Sequence, residues 1–182
     1  DKDGDLDIVT ASWEDDKLSW FENTGANKYV ERIISEDVDY ASSAYCEDMD
    51  LDGDIDILAT AFNGDNLYWF ENLGNQKFTR HLISSDVDGA RTVIAANLDN
   101  QGKPEAICAS WWGSDVKWFN NNGGSFSSSV VKNKLFRAGI ISISGCGTGY
   151  IAHYPNKEKA IEASKIVIEQ LQAEGIEGNI YF

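Results

Sequence analysis

The sequence lacks long apolar runs, clustered cysteines and the short motifs that mark many enzymes. No apolar stretch approaches the roughly 18 residues that a membrane-spanning helix needs, so we expect no membrane span. Its three cysteines show no spacing typical of a metal or redox site. No nucleophile motif, HExxH zinc motif or phosphate-binding loop of the Walker type is present. We therefore predict that the chain is not an enzyme.

Basic charge is also scarce. The net charge of −15 argues against nucleic acid and anionic membranes as partners, because proteins that bind them carry basic patches. Residues 1–131 hold 25 acidic and nine basic side chains, whereas residues 132–182 hold five and six. No aspartate follows Asp115 and no tryptophan follows Trp118. This change in composition predicts a domain boundary near residue 131.

The densest acidic stretch, DMDLDGDIDILA, begins at Asp48 and has a carboxylate at every second position around Gly53. Such closely spaced carboxylates repel one another, so a hard cation is expected to gather them. Calcium takes about six to eight oxygen ligands, commonly from loop positions 1, 3, 5 and 9 and from the carbonyl at position 7. The spacing predicts four side-chain ligands and the carbonyl of Asp54; the side-chain ligands are Asp48, Asp50, Asp52 and Asp56.

The stretch has two alternative interpretations. An EF-hand opens with the same D-x-D-x-D-G pattern, but it requires a glutamate at position 12, where this chain has Ala59. The following run, IDILATAF, also favours a strand over a helix. The second alternative is a solvated acidic turn without metal, which need neither alternate its charges nor carry glycine at the turn.

The stretch belongs to an internal repeat with a step of 49 residues. The step relates Gly4 to Gly53 and Gly102, and it relates Trp20-Phe21-Glu22-Asn23 to two later copies at residues 69–72 and 118–121. Each repeat contains an acidic or polar loop and four short strand-like runs. Four short strands in a period of about 40 to 50 residues are typical of a propeller blade. The predicted repeats are residues 1–47, 48–96 and 97–131, and the predicted class is all-β.

The DxDGDxDIV loop, followed by WFEN and a glycine turn, resembles the FG-GAP/VCBS repeats, which build calcium-binding β-propellers in secreted and cell-surface proteins. The resemblance covers residues 1–131 and implies a Ca²⁺ cofactor. It implies further ligands in loop 1 (residues 1–7), whose first ligand would lie upstream: Asp1, Asp3, Asp5 and Asp7. In loop 3 (residues 97–105) the matching positions are Asn97, Asp99, Gln101, Lys103 through its carbonyl, and Glu105. Two amides and a lysine there predict weak or absent metal binding.

Three blades cannot close a ring, so we expect further blades from the parent chain or a partner to complete the propeller. The remainder, residues 132–182, does not continue the repeat. Its pattern predicts a small β-loop-α-β appendage, in which Asn156 caps the helix and Gly175 follows its end.

Aromatic residues recur in the turn after the first strand of each repeat; they are Trp13, Phe62, Trp111 and Trp112. Rings beside carboxylates and amides suit the apolar faces of sugars, so these residues are candidate ligand contacts. The alternative is packing between blades, which would recur at the same step.

Taken together, these features predict a calcium-binding extracellular β-propeller module that binds a glycan or protein ligand, or mediates adhesion. The alternative function is a non-catalytic or substrate-contacting part of a secreted polysaccharide-active enzyme.

Overall fold

The computed structural model describes residues 1–100 and 102–132, so Gln101 and the predicted β-loop-α-β appendage lie outside the described part. Every regular element in these two ranges is a β-strand, which confirms the all-β prediction. The strands are β1 (Ile8–Ser12), β2 (Lys17–Asn23), β3 (Tyr29–Ser35), β4 (Ala41–Glu47), β5 (Asp56–Ala61), β6 (Asn66–Asn72), β7 (Phe78–Ser84), β8 (Ala90–Ala96), β9 (Glu105–Ser110), β10 (Val116–Asn121) and β11 (Phe126–Lys132). A search of the same residues finds no helix that could span a membrane.

The strands form three antiparallel sheets in chain order. Sheet 1 contains β1–β3, sheet 2 contains β4–β7, and sheet 3 contains β8–β11. Two sheets therefore have the predicted four strands, whereas sheet 1 has three. Because β4 and β8 pair with the strands that follow loops 48–56 and 97–105, sheets 2 and 3 each begin one strand earlier than the repeat seen in the sequence.

The same strand register recurs in all three sheets. Val9 pairs with Trp20 in sheet 1, Leu58 with Trp69 in sheet 2, and Ile107 with Trp118 in sheet 3. A bulge also interrupts the pairing of the last two strands at the equivalent position of each sheet. A register is specified where one face of a sheet is buried, because a shift by one residue would expose its apolar side chains. The repeated apolar pattern thus produces repeated blades.

The core lies between the sheets. Leu18 of sheet 1 packs with Ile57 and Phe70 of sheet 2, and Leu67 of sheet 2 packs with Phe119 of sheet 3. Successive side chains along a strand point to opposite faces, so sheet 2 buries both faces. This explains why all six residues of β5 are buried, in contrast to a strand with one solvated face.

One face of sheet 1 remains open among the described residues. Ile8 is 48% exposed, although Ile57, its equivalent one repeat later, is 2% exposed because it packs against sheet 1. Tyr29 is likewise exposed, whereas its equivalent Phe78 packs against the same cluster. The repeat thus places blade-packing side chains on a surface that no described blade covers.

The leucines of sheet 2 provide a test of this packing. Replacing the fully buried Leu67 with alanine should lower the free energy of unfolding by about 2–5 kcal/mol, because it leaves a cavity between sheets 2 and 3. Urea denaturation at constant calcium concentration measures the change. The matched control is Leu82→Ala, since Leu82 is exposed and should lose no more than about 0.5 kcal/mol. Equal losses for the two variants would contradict the assigned core.

Candidate metal centre

Loop 2 (residues 48–56) brings three of its predicted side-chain ligands together. One carboxylate oxygen from each of Asp48, Asp50 and Asp56 lies within 4.8 Å of the other two. This is the one such cluster found among the described residues, and its Asp56 is buried. Asp52 does not join it; its Oδ1 accepts a hydrogen bond from the N–H of Asp54 at 2.8 Å.

Asp56 is the anchor of the cluster because it is the first residue of β5 and is only 1% exposed. Its Oδ1 accepts a hydrogen bond from the N–H of Asn72 at 2.7 Å, and its Oδ2 accepts one from the N–H of Met49 at 3.0 Å. Burial raises the pKa of Asp56 to about 6, and the hydrogen bond from Asn72 opposes that rise. A bound cation would favour the ionised form of this carboxylate in the same way as its hydrogen-bond donors do.

The backbone of loop 2 curls around the other carboxylates. Asp48 accepts hydrogen bonds from the N–H groups of Asp52 and Gly53, at 3.1 and 3.0 Å, and Asp50 accepts a second bond from Asp52 at 3.1 Å. Gly53 adopts a φ of +90°, which a residue with a side chain rarely tolerates. The turn therefore depends on glycine at this position, as the sequence predicted.

The side chain of Asp54 contacts loop 1. Its Oδ1 lies 2.8 Å from Nζ of Lys2 in loop 1. Both groups are partly exposed to water, so this ion pair contributes little to stability. Ligation of the cation by the carbonyl of Asp54 stays a prediction.

Loop 1 repeats part of this arrangement. The N–H groups of Asp3 and Asp5 bond to the carboxylates of Asp1 and Asp3, and Asp7 accepts a bond from the N–H of Asn23 at 2.7 Å, as Asp56 does from Asn72. The loop 1 carboxylates do not form a cluster that meets the distance found in loop 2. Metal binding by these four aspartates stays a prediction.

Loop 3 departs from the pattern where the sequence does. Nδ2 of Asn97 donates a hydrogen bond to the carbonyl of Gly102 at 3.0 Å, so its amide faces the loop backbone. Glu105 takes the place of Asp56: it is 2% exposed, and its Oε2 accepts a bond from the N–H of Leu98 at 2.6 Å. Among the described residues, Asp99 and Glu105 do not join a cluster of the kind found in loop 2, and ligation through the carbonyl of Lys103 stays a prediction.

The structure also assigns a role to Asn72, which the spacing of the loop ligands does not reveal. Nδ2 of Asn72 donates to the carbonyl of Ile55 in loop 2 at 3.0 Å, and its Oδ1 accepts a bond from the N–H of Gly74 at 3.0 Å. Asn23 and Asn121 make the equivalent bonds to the carbonyls of Leu6 and Pro104. The signal was present in the sequence as the last residue of each WFEN-like motif. Each asparagine clamps the acidic or polar loop of its own sheet.

The predicted aromatic contacts form a row across the three sheets. The ring centroid of Phe62 lies 4.8 Å from that of Trp13 and 4.6 Å from that of Trp112. Phe62 is 8% exposed, which favours inter-blade packing at this position, whereas Trp112 is 55% exposed. Trp111 occupies the backbone position equivalent to Phe62. Its N–H donates to the carbonyl of Gly89, as the N–H of Phe62 donates to the carbonyl of Tyr40.

The aromatic row and the acidic loops lie at opposite ends of the strands. Loop 2 precedes β5, whereas Phe62 follows it directly, and the same order holds for β1 and β9. A six-residue strand spans about 20 Å, so no residue of the aromatic row can coordinate a cation in the loops.

The donor set suits a hard divalent cation. The cluster offers oxygen alone, without the thiolate or imidazole ligands that zinc prefers, and a carbonyl at residue 54 is close along the chain. Asp48, Asp50 and Asp56 therefore fit calcium.

Repeated antiparallel sheets of three or four strands, with an acidic or polar loop at one end of each, define a class of β-repeat proteins. The family model of the FG-GAP-like repeat matches residues 1–59 and again residues 48–108, which is more than half of the chain. The chain belongs to the FG-GAP-like repeat family. No curated protein sequence matches it.

Some solved structures are similar to this chain at low sequence identity. One is a lectin from Agrocybe aegerita, described for its specific recognition of non-reducing terminal N-acetylglucosamine. The two chains are 16% identical with a TM-score of 0.47, and the match covers 72% of this chain and 39% of the lectin. The chain thus spans well under half of that protein's length.

The asparagine clamp can be tested by Asn72→Ala. Losing two side-chain hydrogen bonds should cost about 1–3 kcal/mol of unfolding free energy, because the carbonyl of Ile55 and the N–H of Gly74 lose their partner. Urea denaturation in the presence of a chelator isolates this effect from metal binding. The control is Asn122→Ala, because Asn122 is exposed and is not one of the three asparagines that bond to the loops. A clamp variant as stable as this control would contradict the role.

Proposed function

We propose that the chain is a calcium-stabilised β-propeller-type module that binds a glycan or protein ligand outside the cell and catalyses no reaction. The observation that carries this proposal is the convergence of Asp48, Asp50 and Asp56 inside an FG-GAP-like repeat. Extracellular calcium modules often bind with dissociation constants of about 10⁻⁴ to 10⁻³ M, which suits an exposed loop in a millimolar calcium environment.

The cation would have a structural role and no catalytic one. It would be held by Asp48, Asp50 and Asp56, together with the carbonyl at residue 54, and would neutralise carboxylates that otherwise repel one another. A ligand that binds only the folded state stabilises it by mass action, about 1.4 kcal/mol per site when its free concentration is roughly tenfold above the dissociation constant.

Chelation gives the direct test. Adding EDTA should lower the melting temperature, and restoring excess calcium should reverse the change. Asp50→Asn should abolish most of this calcium response, because it keeps the acceptor for the N–H of Asp52 and removes one charge from the cluster. Scanning calorimetry measures both effects.

The control for that variant is Glu36→Gln, which makes the same charge change at an exposed position outside the acidic loops. It should retain the full calcium response. A wild-type protein whose melting temperature is the same with EDTA and with calcium would overturn the calcium part of the proposal.

Trp112 is the best-supported contact for a ligand. Trp112 is more than half exposed, and its ring rests on Phe62 and on the backbone at Gly89. The ring is so close to this glycine that a Cβ added there would lie 3.2 Å from Cδ2 of Trp112. An indole held in this way offers a rigid apolar face at low entropic cost. Such a face suits the C–H patches of a sugar ring or a side chain of a partner protein.

Replacing this residue tests the ligand proposal. Trp112→Ala should weaken binding to the glycans or proteins that the wild type retains on an array by about tenfold or more, since a central aromatic contact contributes at least ~1.4 kcal/mol. Tyr29→Ala, a change of another exposed ring on the open face of sheet 1, should leave the affinity unchanged.

Asp50→Asn should also leave ligand affinity unchanged while the protein is folded, because the cation lies at the other end of the strands. Failure to retain any glycan or protein would contradict the binding function. Equal affinities for Trp112→Ala and wild type would contradict the assigned site.

A further inference from the structure

Met49 lies between two predicted ligands, yet its side chain is not part of a solvent-exposed loop. It is 1% exposed and packs in the core between sheets 2 and 3, with Val87, Val93 and Phe119. The residue that joins Asp48 to Asp50 in sequence is therefore held by the neighbouring sheet as well as by its own.

Both backbone groups of Met49 are also engaged. Its N–H donates to Oδ2 of Asp56 at 3.0 Å, and its carbonyl accepts a hydrogen bond from Nδ2 of Asn121 at 2.8 Å. Asn121 is the last residue of β10 in sheet 3 and is 9% exposed. A two-bond path thus connects a side chain of sheet 3 to the buried carboxylate of loop 2.

The bond from Asn121 to Met49 is additional to those made by the equivalent asparagines of the other two sheets. Asn23 and Asn72 bond to the loop of their own sheet, whereas Nδ2 of Asn121 bonds both to its own loop, at the carbonyl of Pro104, and to Met49 in the loop of the preceding sheet. Its Oδ1 accepts a bond from the N–H of Gly124. The buried amide of Asn121 therefore uses both of its N–H donors and accepts one hydrogen bond at its oxygen, which fixes it in one orientation.

We propose that Asn121 is a positioning residue for the cation site of loop 2. By holding the carbonyl of Met49, it sets the spacing of Asp48, Asp50 and Asp56, so that the affinity for calcium depends on the docking of sheet 3 against sheet 2. This inference rests on the proposed calcium binding. Because coupling between two sites is reciprocal, calcium bound in loop 2 strengthens the contact between the two sheets.

The experiment measures calcium and terbium binding in a chain whose loop 1 carries Asp3→Asn and Asp5→Asn, so that the titration reports loop 2. Asn121→Ala should weaken cation affinity roughly tenfold or more, the usual effect of removing a partner that orients metal ligands. Asn121→Gln keeps an amide displaced by one methylene and should give a smaller loss in the same direction. Asn120→Ala, at the adjacent position of the same strand, should bind as the parent does.

A second readout separates positioning from a general loss of stability. The increase in unfolding free energy on adding calcium depends on the dissociation constant, whereas a merely structural asparagine would lower stability equally with and without calcium. We expect this calcium-dependent increase to shrink in Asn121→Ala and to stay intact in Asn120→Ala.

The outcomes distinguish the two proposals. If the parent binds cation and Asn121→Ala binds it equally well, the positioning role is wrong and the calcium site stands. If the parent binds neither calcium nor terbium, the calcium proposal fails and the coupling fails with it.

Discussion

Electrostatic repulsion among closely spaced carboxylates is the constraint around which loop 2 is built. Backbone N–H groups of Met49, Asp52, Gly53 and Asn72 point at these carboxylates and offset part of the repulsion. Burial of Asp56 works in the opposite direction, because it removes a charge from water. An arrangement of this kind gains most from a divalent cation, since one ion satisfies several oxygens that the protein alone satisfies incompletely.

The two candidate sites lie at opposite ends of the blades. The acidic loops lie at one end, where hydrogen bonds from Asn23, Asn72 and Asn121 tie them to the sheets. The aromatic row lies at the other end, where Phe62 is covered and Trp112 is open. A cation at the first end can therefore stabilise the scaffold without contacting a ligand at the second.

Much of this structure was predictable because its strands and loops are encoded by short sequence patterns that recur every 49 residues. The described strands fall on the strand-like runs of the repeat, and the step of 49 residues relates Val9, Leu58 and Ile107, which occupy the same register position. The candidate ligands Asp48, Asp50 and Asp56 were predictable for the same reason, since the spacing of a loop ligand set is a short-range property. The sequence did not show that Asp52 turns to the backbone of Asp54, because that depends on the path of the loop in space.

Other features required contacts between distant parts of the chain. The assignment of β4 and β8 to the following sheets is a matter of hydrogen-bond pairing, which a repeat counted from its loops does not reveal. The burial of Phe62 depends on its contacts with the rings of Trp13 and Trp112, which follow strands of the two neighbouring sheets. The bond from Asn121 to Met49 spans 72 residues.

By itself, then, the sequence determined the all-β class, the repeat and the acidic loops, since these follow from periodicity and spacing. Only the tertiary structure decided that Asp52 turns to the loop backbone and which aromatic ring stays exposed, because the first depends on the path of the loop in space and the second on the rings that pack together across neighbouring sheets.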